Sequence, residues 1–228
     1  MIPPEQNAAF VAAMEDVLAV YARPADPTRP LVCFDETSKV LTADVRPPQP
    51  ARPGRPARQD TTYARNGAQG QANLFLACAP HLGWRHVSVT PSHTAIEVAQ
   101  ELRALVDVHF PQAERIVLVL DNLNTHRPAA LSHAFAPHEA RRILDRVEWH
   151  FTPLHGSWLN MAELEFSVLA RQCLARRISD RETLAQEVAA WVAARNAAAI
   201  PIDWRFTVDD AREKLAHVYP IPNETTLP

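Results

Sequence analysis

Lysine is almost missing from this chain: it occurs only at positions 39 and 214, so nearly all the positive charge is arginine. Positive charge is not in excess either, with 23 Lys plus Arg against 26 Asp plus Glu and a formal net charge of −3. Affinity from counterion release scales with the phosphates neutralised, so a broad electrostatic footprint for nucleic acid is excluded and any basic surface must be local. Arginine suits bidentate phosphate contacts, although abundant Ala and Pro make coding bias the favoured source of it. Cysteine is scarce as well. Cys33, Cys78 and Cys173 stand singly in apolar segments without Cys-x-x-Cys spacing, which argues against a disulfide framework and against a zinc site. No run reaches the roughly 18 apolar residues of a membrane span. The opening Met-Ile-Pro-Pro-Glu-Gln has neither the basic nor the apolar region of a secretory signal, so a cytoplasmic location with no membrane partner is expected. What the chain does have is 228 residues at 47% hydrophobic content, enough for one sizeable core.

Apolar periodicity supplies the elements. Phe10, Met14, Val17, Leu18 and Tyr21 predict a leading helix within residues 5–22, ended by a Pro-rich break at 24–30. Residues 32–37 and 40–45 read as two strands joined at Ser38 and Lys39, a predicted hairpin. Residues 47–71 are rich in Pro, Arg, Gly and Gln and predict a long loop or flap. Strands are expected at 72–79 and 85–90, then a helix over 94–110. Ile116 to Leu120 is a continuous apolar run of the kind buried on both faces of a parallel sheet. Short helices at 128–135 and 138–144, a strand at 147–152 and a long helix over 158–174 follow, with further helical segments at 181–197 and 204–219. That order predicts an α/β protein with a ribonuclease H-like mixed sheet, helices on both faces and additional C-terminal helices. The expected division is a lead-in over 1–30, a catalytic domain over 31–175 with its Arg/Pro-rich loop at 46–71, and a helical appendage over 176–228.

Three acidic contexts stand out. Asp35 closes the apolar run Leu-Val-Cys-Phe, and Asp121 closes Ile-Val-Leu-Val-Leu ahead of Asn122. Strand ends are where ligands sit in open sheets, although Asp also marks turns and caps helices. The third context is the helix after Ser157, a candidate N-cap, where Leu159, Ala162, Phe166, Leu169 and Cys173 form an apolar stripe. At 100° per residue Glu163 and Glu165 lie on opposite flanks, each about 80° from the stripe centre, so one of them can enter a site at the sheet end and periodicity does not choose which. Carboxylates from two strand ends and a helix can hold two divalent cations about 3.5 to 4 Å apart, the arrangement that drives in-line attack on a phosphodiester. A metal-dependent nuclease or DNA strand transferase is the expectation. His126, His155, Asn122 and Asn160 are candidates to orient the metal ligands or a water, and Trp158 to stack on a base or pack in the core. Arg52, Gly54, Arg55 and Pro56 look like a minor-groove hook, and with Arg58 they are candidate DNA contacts; a solvated Pro-Arg loop is the other reading.

Taken together, Phe-Asp-Glu-Thr-Ser-Lys, Arg-Pro-Gly-Arg-Pro-Ala-Arg, Val-Leu-Asp-Asn-Leu-Asn-Thr-His and His-Gly-Ser-Trp-Leu-Asn-Met-Ala-Glu resemble the DDE transposases of bacterial insertion sequences in the mariner superfamily. The resemblance runs through nearly all of residues 2–220. It implies a catalytic triad of Asp35, Asp121 and Glu163, with Glu163 chosen because it follows Leu159-Asn160 in a Leu-Asn-x-x-Glu pattern. Glu165 then becomes a flank residue whose removal should be tolerated. The resemblance further implies two Mg²⁺ or Mn²⁺ ions, DNA ends and target DNA as substrates, cleavage followed by strand transfer, and a homodimer in the active complex. Such transposases carry helix-turn-helix domains ahead of the catalytic domain, so this chain is expected to be a catalytic domain alone. Thr37 stands where relatives often have Lys, and the stretch over residues 59–71 is longer than usual. A stand-alone metal-dependent nuclease and a non-enzymatic remnant that dimerises or interferes with intact transposase are the alternatives.

Overall fold

The fold comes from a computed structural model that describes residues 2, 5–58, 61–65 and 70–221. Its centre is a five-stranded sheet ordered β5-β4-β1-β6-β7. The strands are β1 (Leu31–Val40), β4 (Gln71–Ala79), β5 (Trp84–Thr90), β6 (Ile116–Leu120) and β7 (Val147–Phe151), and β2 (Thr42–Asp44) pairs with β3 (Tyr63–Arg65) beside them. β1 runs antiparallel to β4, and β4 to β5, whereas β1–β6 and β6–β7 are parallel. Antiparallel opening strands followed by parallel ones are the ribonuclease H-like arrangement expected above.

The helices cover both faces. On one side α1 (Ala8–Tyr21), α5 (Met161–Gln172), α6 (Arg181–Ala198) and α7 (Val208–Lys214) bury Met14, Leu169, Val188 and Ala211 against Cys33, Leu76 and Val119 of the sheet. On the other, α2 (Ala95–Ala104), α3 (Ala130–Ala134) and α4 (Pro137–Asp145) bury Leu102, Leu131 and Ile143 against Phe34, Phe75 and Leu118. Alternation along each strand divides its residues between these two cores. The leading helix and the C-terminal segments therefore share one apolar core with the sheet, and Asn7 N–H donates to Val218 O at 2.8 Å to close the ends together.

Two local expectations need correction. The hairpin expected at Ser38 and Lys39 does not form: β1 continues straight through both residues, and β4 pairs with it along the whole length from Cys33↔Cys78 to Val40↔Gln71. Polar residues at 35–39 mark an exposed half of one long strand rather than a turn, because burial falls off after Asp35. The expected flap contains structure of its own. Gln49 and Arg58 exchange backbone hydrogen bonds, as do Arg52 and Arg55 across a Pro53-Gly54 turn in which Gly54 supplies a φ of 76°. Residues 59, 60 and 66–69 of that stretch lie outside the described residues.

Gly83 makes the turn between β4 and β5 in the left-handed region at φ 61°, and a Cβ there would lie 2.3 Å from the backbone C and O of Ala199 at the end of α6. Backbone atoms cannot yield as a side-chain tip can. Gly83→Ala should therefore cost about 2 to 4 kcal/mol, from left-handed strain and overpacking together. Urea unfolding curves check this, and an unchanged midpoint would rule out the close approach.

Candidate active site

The parallel register sets the site. Leu31, Val32 and Cys33 pair with Val117, Leu118 and Val119, so continuing two residues further brings Asp35 on β1 beside Asp121 just past β6. Leu31 and Cys33 of β1, like Val117 and Val119 of β6, belong to the core under α5, and alternation turns Asp35 and Asp121 to that same side. Asp35 is 5% exposed. Burial, then the negative charges of Glu163 and Asp121, push its pKa up to about 7, against one hydrogen bond from Glu36 N–H that favours the carboxylate. Glu163 is exposed in the first turn of α5, and its field on Asp35 places it at this sheet end.

Asn160 positions that helix. It is fully buried; its Nδ2 donates to Phe34 O at 2.8 Å and its Oδ1 accepts from Ala162 N–H at 3.1 Å. It is the N-cap of α5, so the expected capping role of Ser157 falls to Asn160, and Ser157 opens a short 3-10 turn over Ser157–Leu159 instead. The cap bonds the helix start to the residue just before Asp35. Tyr21 O–H, donating to Leu159 O at 2.7 Å, fastens the same turn to α1. The apolar stripe from Leu159 to Cys173 is buried as expected.

His126 is fully buried between two carboxylates: Nδ1–H donates to Asp121, and Nε2 forms an ion pair with Glu36. Burial alone would lower its pKa, but the two carboxylates outweigh burial and raise it to about 9, so the imidazolium is the stable form at neutral pH. Leu123 N–H adds 3.1 Å to the same Asp121 oxygen, Oδ1, leaving Oδ2 for another partner. Glu36 was not picked out by sequence reasoning, since nothing in the pattern separates an acidic residue next to Asp35 from strand-end polarity. Asn122 is exposed and lines a cleft of about 300 Å³ with Asp121, Thr152, Leu154 and His155. Another cleft, of about 350 Å³, lies beside α1, but its Arg23 and Arg29 are already committed to Glu148.

Glu165 is elsewhere. It is 2% exposed and accepts from Arg85 Nη2 at 2.7 Å and from Arg195 Nη2 at 3.0 and 3.2 Å, a buried ion triad joining β5, α5 and α6. It lies on the flank away from the carboxylates, as expected, but its removal would leave the buried Arg85 without this counter-charge. Trp158 packs edge-on against Phe206, at 5.9 Å between centroids, on the core side of the helix start. Arg52, Arg55 and Arg58 are exposed on the hairpin arm, away from the carboxylates in sequence and joined to the body through β2 and β3. Arg177 fixes the base of that arm through Asp44 and the carbonyls of Thr61 and Thr62.

Hard oxygen donors that repel one another are the donor set a divalent cation takes. Among the described residues no three acidic, histidine or cysteine side chains are gathered tightly enough to hold a metal ion as they stand. Among the described residues no helix is long and apolar enough to cross a membrane.

A family model described as DDE superfamily endonuclease matches residues 30–185, more than half of the chain, and the chain belongs to that family. Solved structures share its fold. A mariner Mos1 paired-end complex with Mg is 18% identical with a TM-score of 0.57, covering 97% of this chain and 66% of its own. A pre-cleavage Mos1 transpososome is 17% identical at 0.57, covering 95% and 64%. A Mos1 mariner paired-end complex with Mn is 20% identical at 0.54, covering 85% and 58%. The chain therefore spans about three fifths of the length of the proteins it matches. No curated protein matches it.

Proposed function

We propose that this chain is the catalytic domain of a DNA transposase, working in the cytoplasm, that cuts phosphodiesters at transposon ends and joins them to target DNA. The observation that carries the reading is Asp35, buried at the middle of β1 beside Asp121 at the end of parallel β6, where burial and then the charges of Glu163 and Asp121 favour its protonated form. In a DDE-family endonuclease domain this is the set of groups expected to hold divalent cations. Asp35, Asp121 and Glu163 would hold two Mg²⁺ or Mn²⁺ ions, which when bound activate an attacking oxygen and stabilise the leaving one.

The remaining steps belong to the protein. Asp35, whose protonated form is favoured by burial and by the charges of Glu163 and Asp121, would hold a cation as the carboxylate. His126 and Leu123 N–H hold one oxygen of Asp121, which fixes the direction in which the other faces. Asn160 keeps Glu163 beside β1, and Asn122 with His155 lines the cleft a DNA strand would enter. Cleavage and joining use the same groups, because water and a 3′-hydroxyl are alternative nucleophiles for one in-line displacement. Several of the matched Mos1 structures are paired-end complexes, and a dimer on two DNA ends is the assembly proposed for this chain.

Nicking and joining of labelled duplexes with Mg²⁺ test the reading. Metal-dependent nicking together with joining of pre-cleaved ends is expected; nicking without joining would leave a nuclease, and neither activity would leave a remnant. The arm gives a separate expectation. Arg52→Ala, Arg55→Ala and Arg58→Ala combined should weaken DNA binding and flatten its salt dependence by about one unit per lost phosphate contact. A salt slope identical to the wild type would assign these arginines to solvent.

A further inference from the structure

Glu165 sits two residues beyond Glu163 on α5, on the opposite flank of the helix, in a buried ion triad whose other members come from distant elements. Arg85 lies on edge strand β5 and Arg195 on α6; Asn196, next to Arg195, exchanges hydrogen bonds of 2.7 and 2.8 Å with the Arg85 backbone. The triad is a poor device for stability alone. Nε and Nη1 of Arg85 are buried without a protein partner, and Arg85 is 1% exposed. Well-packed apolar residues often replace such buried ion groups with no loss.

What apolar packing cannot supply is direction. The stripe of Leu159, Ala162, Phe166 and Leu169 buries one side of α5, but hydrophobic contact is non-directional and tolerates a turn of the helix about its axis. A rotation of about 20° would carry a side-chain end, 5 to 6 Å from the axis, through about 2 Å. Site geometry tolerates much less: a misplacement of about 1 Å costs on the order of 100-fold in rate. Asn160 bonds the start of α5 to β1, and Glu165, with Gln172 accepting from Trp191 Nε1 at 2.9 Å, ties the side of the helix to β5 and α6.

We propose that Glu165, clamped by Arg85 and Arg195, is a positioning residue that sets the rotation of α5 and so aims Glu163 at Asp35 and Asp121. This rests on the reading of Glu163 as a site carboxylate. It assigns a role in the reaction to two arginines that lie outside the carboxylate site, one of them on the far edge of the sheet.

The test uses the full chain and two readouts, Mn²⁺ affinity from the electron paramagnetic resonance of the free ion and Mg²⁺-dependent nicking. The triple variant Arg85→Met, Glu165→Leu, Arg195→Met should melt at or above the wild-type temperature. It should bind Mn²⁺ about tenfold more weakly and nick about 100-fold more slowly, with the KM for DNA unchanged. A folded triple variant whose Mn²⁺ affinity and nicking rate both stay within about twofold of wild type overturns the proposal. If the triple variant does not fold, Arg195→Met alone decides, since that side chain is 20% exposed and can be removed more gently. It should weaken Mn²⁺ binding several-fold, and unchanged affinity counts against the proposal. Glu163→Ala separates the two readings. Should it keep wild-type Mn²⁺ affinity and nicking, the site assignment fails and the positioning role with it; a dead Glu163→Ala beside a wild-type-like triple variant removes the positioning role alone.

Discussion

Asparagine in place of Asp35 should abolish Mg²⁺-dependent nicking and at the same time make the metal-free chain more stable. The loss follows from removing the most buried of three carboxylates: metal stabilisation of a transition state amounts to several kcal/mol, so a fall of about 1000-fold or more is expected, with Asp121→Asn and Glu163→Gln behaving alike. The gain in stability follows from the same burial. Asp35 has a folded pKa of about 7 against an unfolded 3.8, so between about pH 4 and 7 the folded chain keeps a proton that the unfolded chain has released. Stability contributed by the protonated form is complete below the unfolded value and is lost as pH rises through the folded one. At pH 8 Asp35→Asn should therefore stabilise the apo protein by about 2 to 4 kcal/mol and flatten the fall in stability between pH 4 and 7. Added Mg²⁺ should raise the melting temperature of the wild type and not of the variant. Urea melts over that pH range, with and without Mg²⁺, check both halves; a folded Asp35→Asn chain that still nicks would remove Asp35 from the site.

Glu165→Ala is expected to cost about 3 to 5 kcal/mol, because it strands the Arg85 guanidinium at 1% side-chain exposure with no counter-charge. Against a typical total stability of about 5 to 15 kcal/mol that leaves a marginal fold. Its activity will be low for want of folded protein, which differs in kind from a folded, dead Glu163→Ala. Circular dichroism melts separate the two, and a Glu165→Ala midpoint within about 1 kcal/mol of wild type would mean that Arg85 finds another partner.

How far the sequence could be read depended on the range of the interactions. Asp121 was legible because five apolar residues before it define a buried strand and its end, and the stripe on α5 was legible because 3.6-residue periodicity is local. The hairpin at Ser38 and Lys39 was misread for want of a neighbour. Polar residues on β1 look like a turn until β4 is seen to pair with them. Glu163 and Glu165 were symmetric by helical geometry alone, and the difference lies in Arg85 and Arg195, which no local pattern ties to α5. The cap was displaced from Ser157 to Asn160 because a 3-10 turn intervenes, and that turn is held by Tyr21 from the leading helix. Glu36 gained its partner only when His126 folded back from the turn after β6.

The central place of β1 also orders events in time. Its antiparallel seam with β4 runs from Cys33↔Cys78 to Val40↔Gln71 and can close first as the chain emerges, whereas its parallel seam with β6 waits for the crossover through α2 and pairs Cys33 with Val119. Asp35 is thus laid down early in a half-sheet that holds no Asp121 and no Glu163. A nascent chain that has not yet made β6 and α5 has neither Asp121 nor Glu163 to set beside Asp35, so the carboxylate set proposed above comes together only once the parallel seams have closed and α5 has docked.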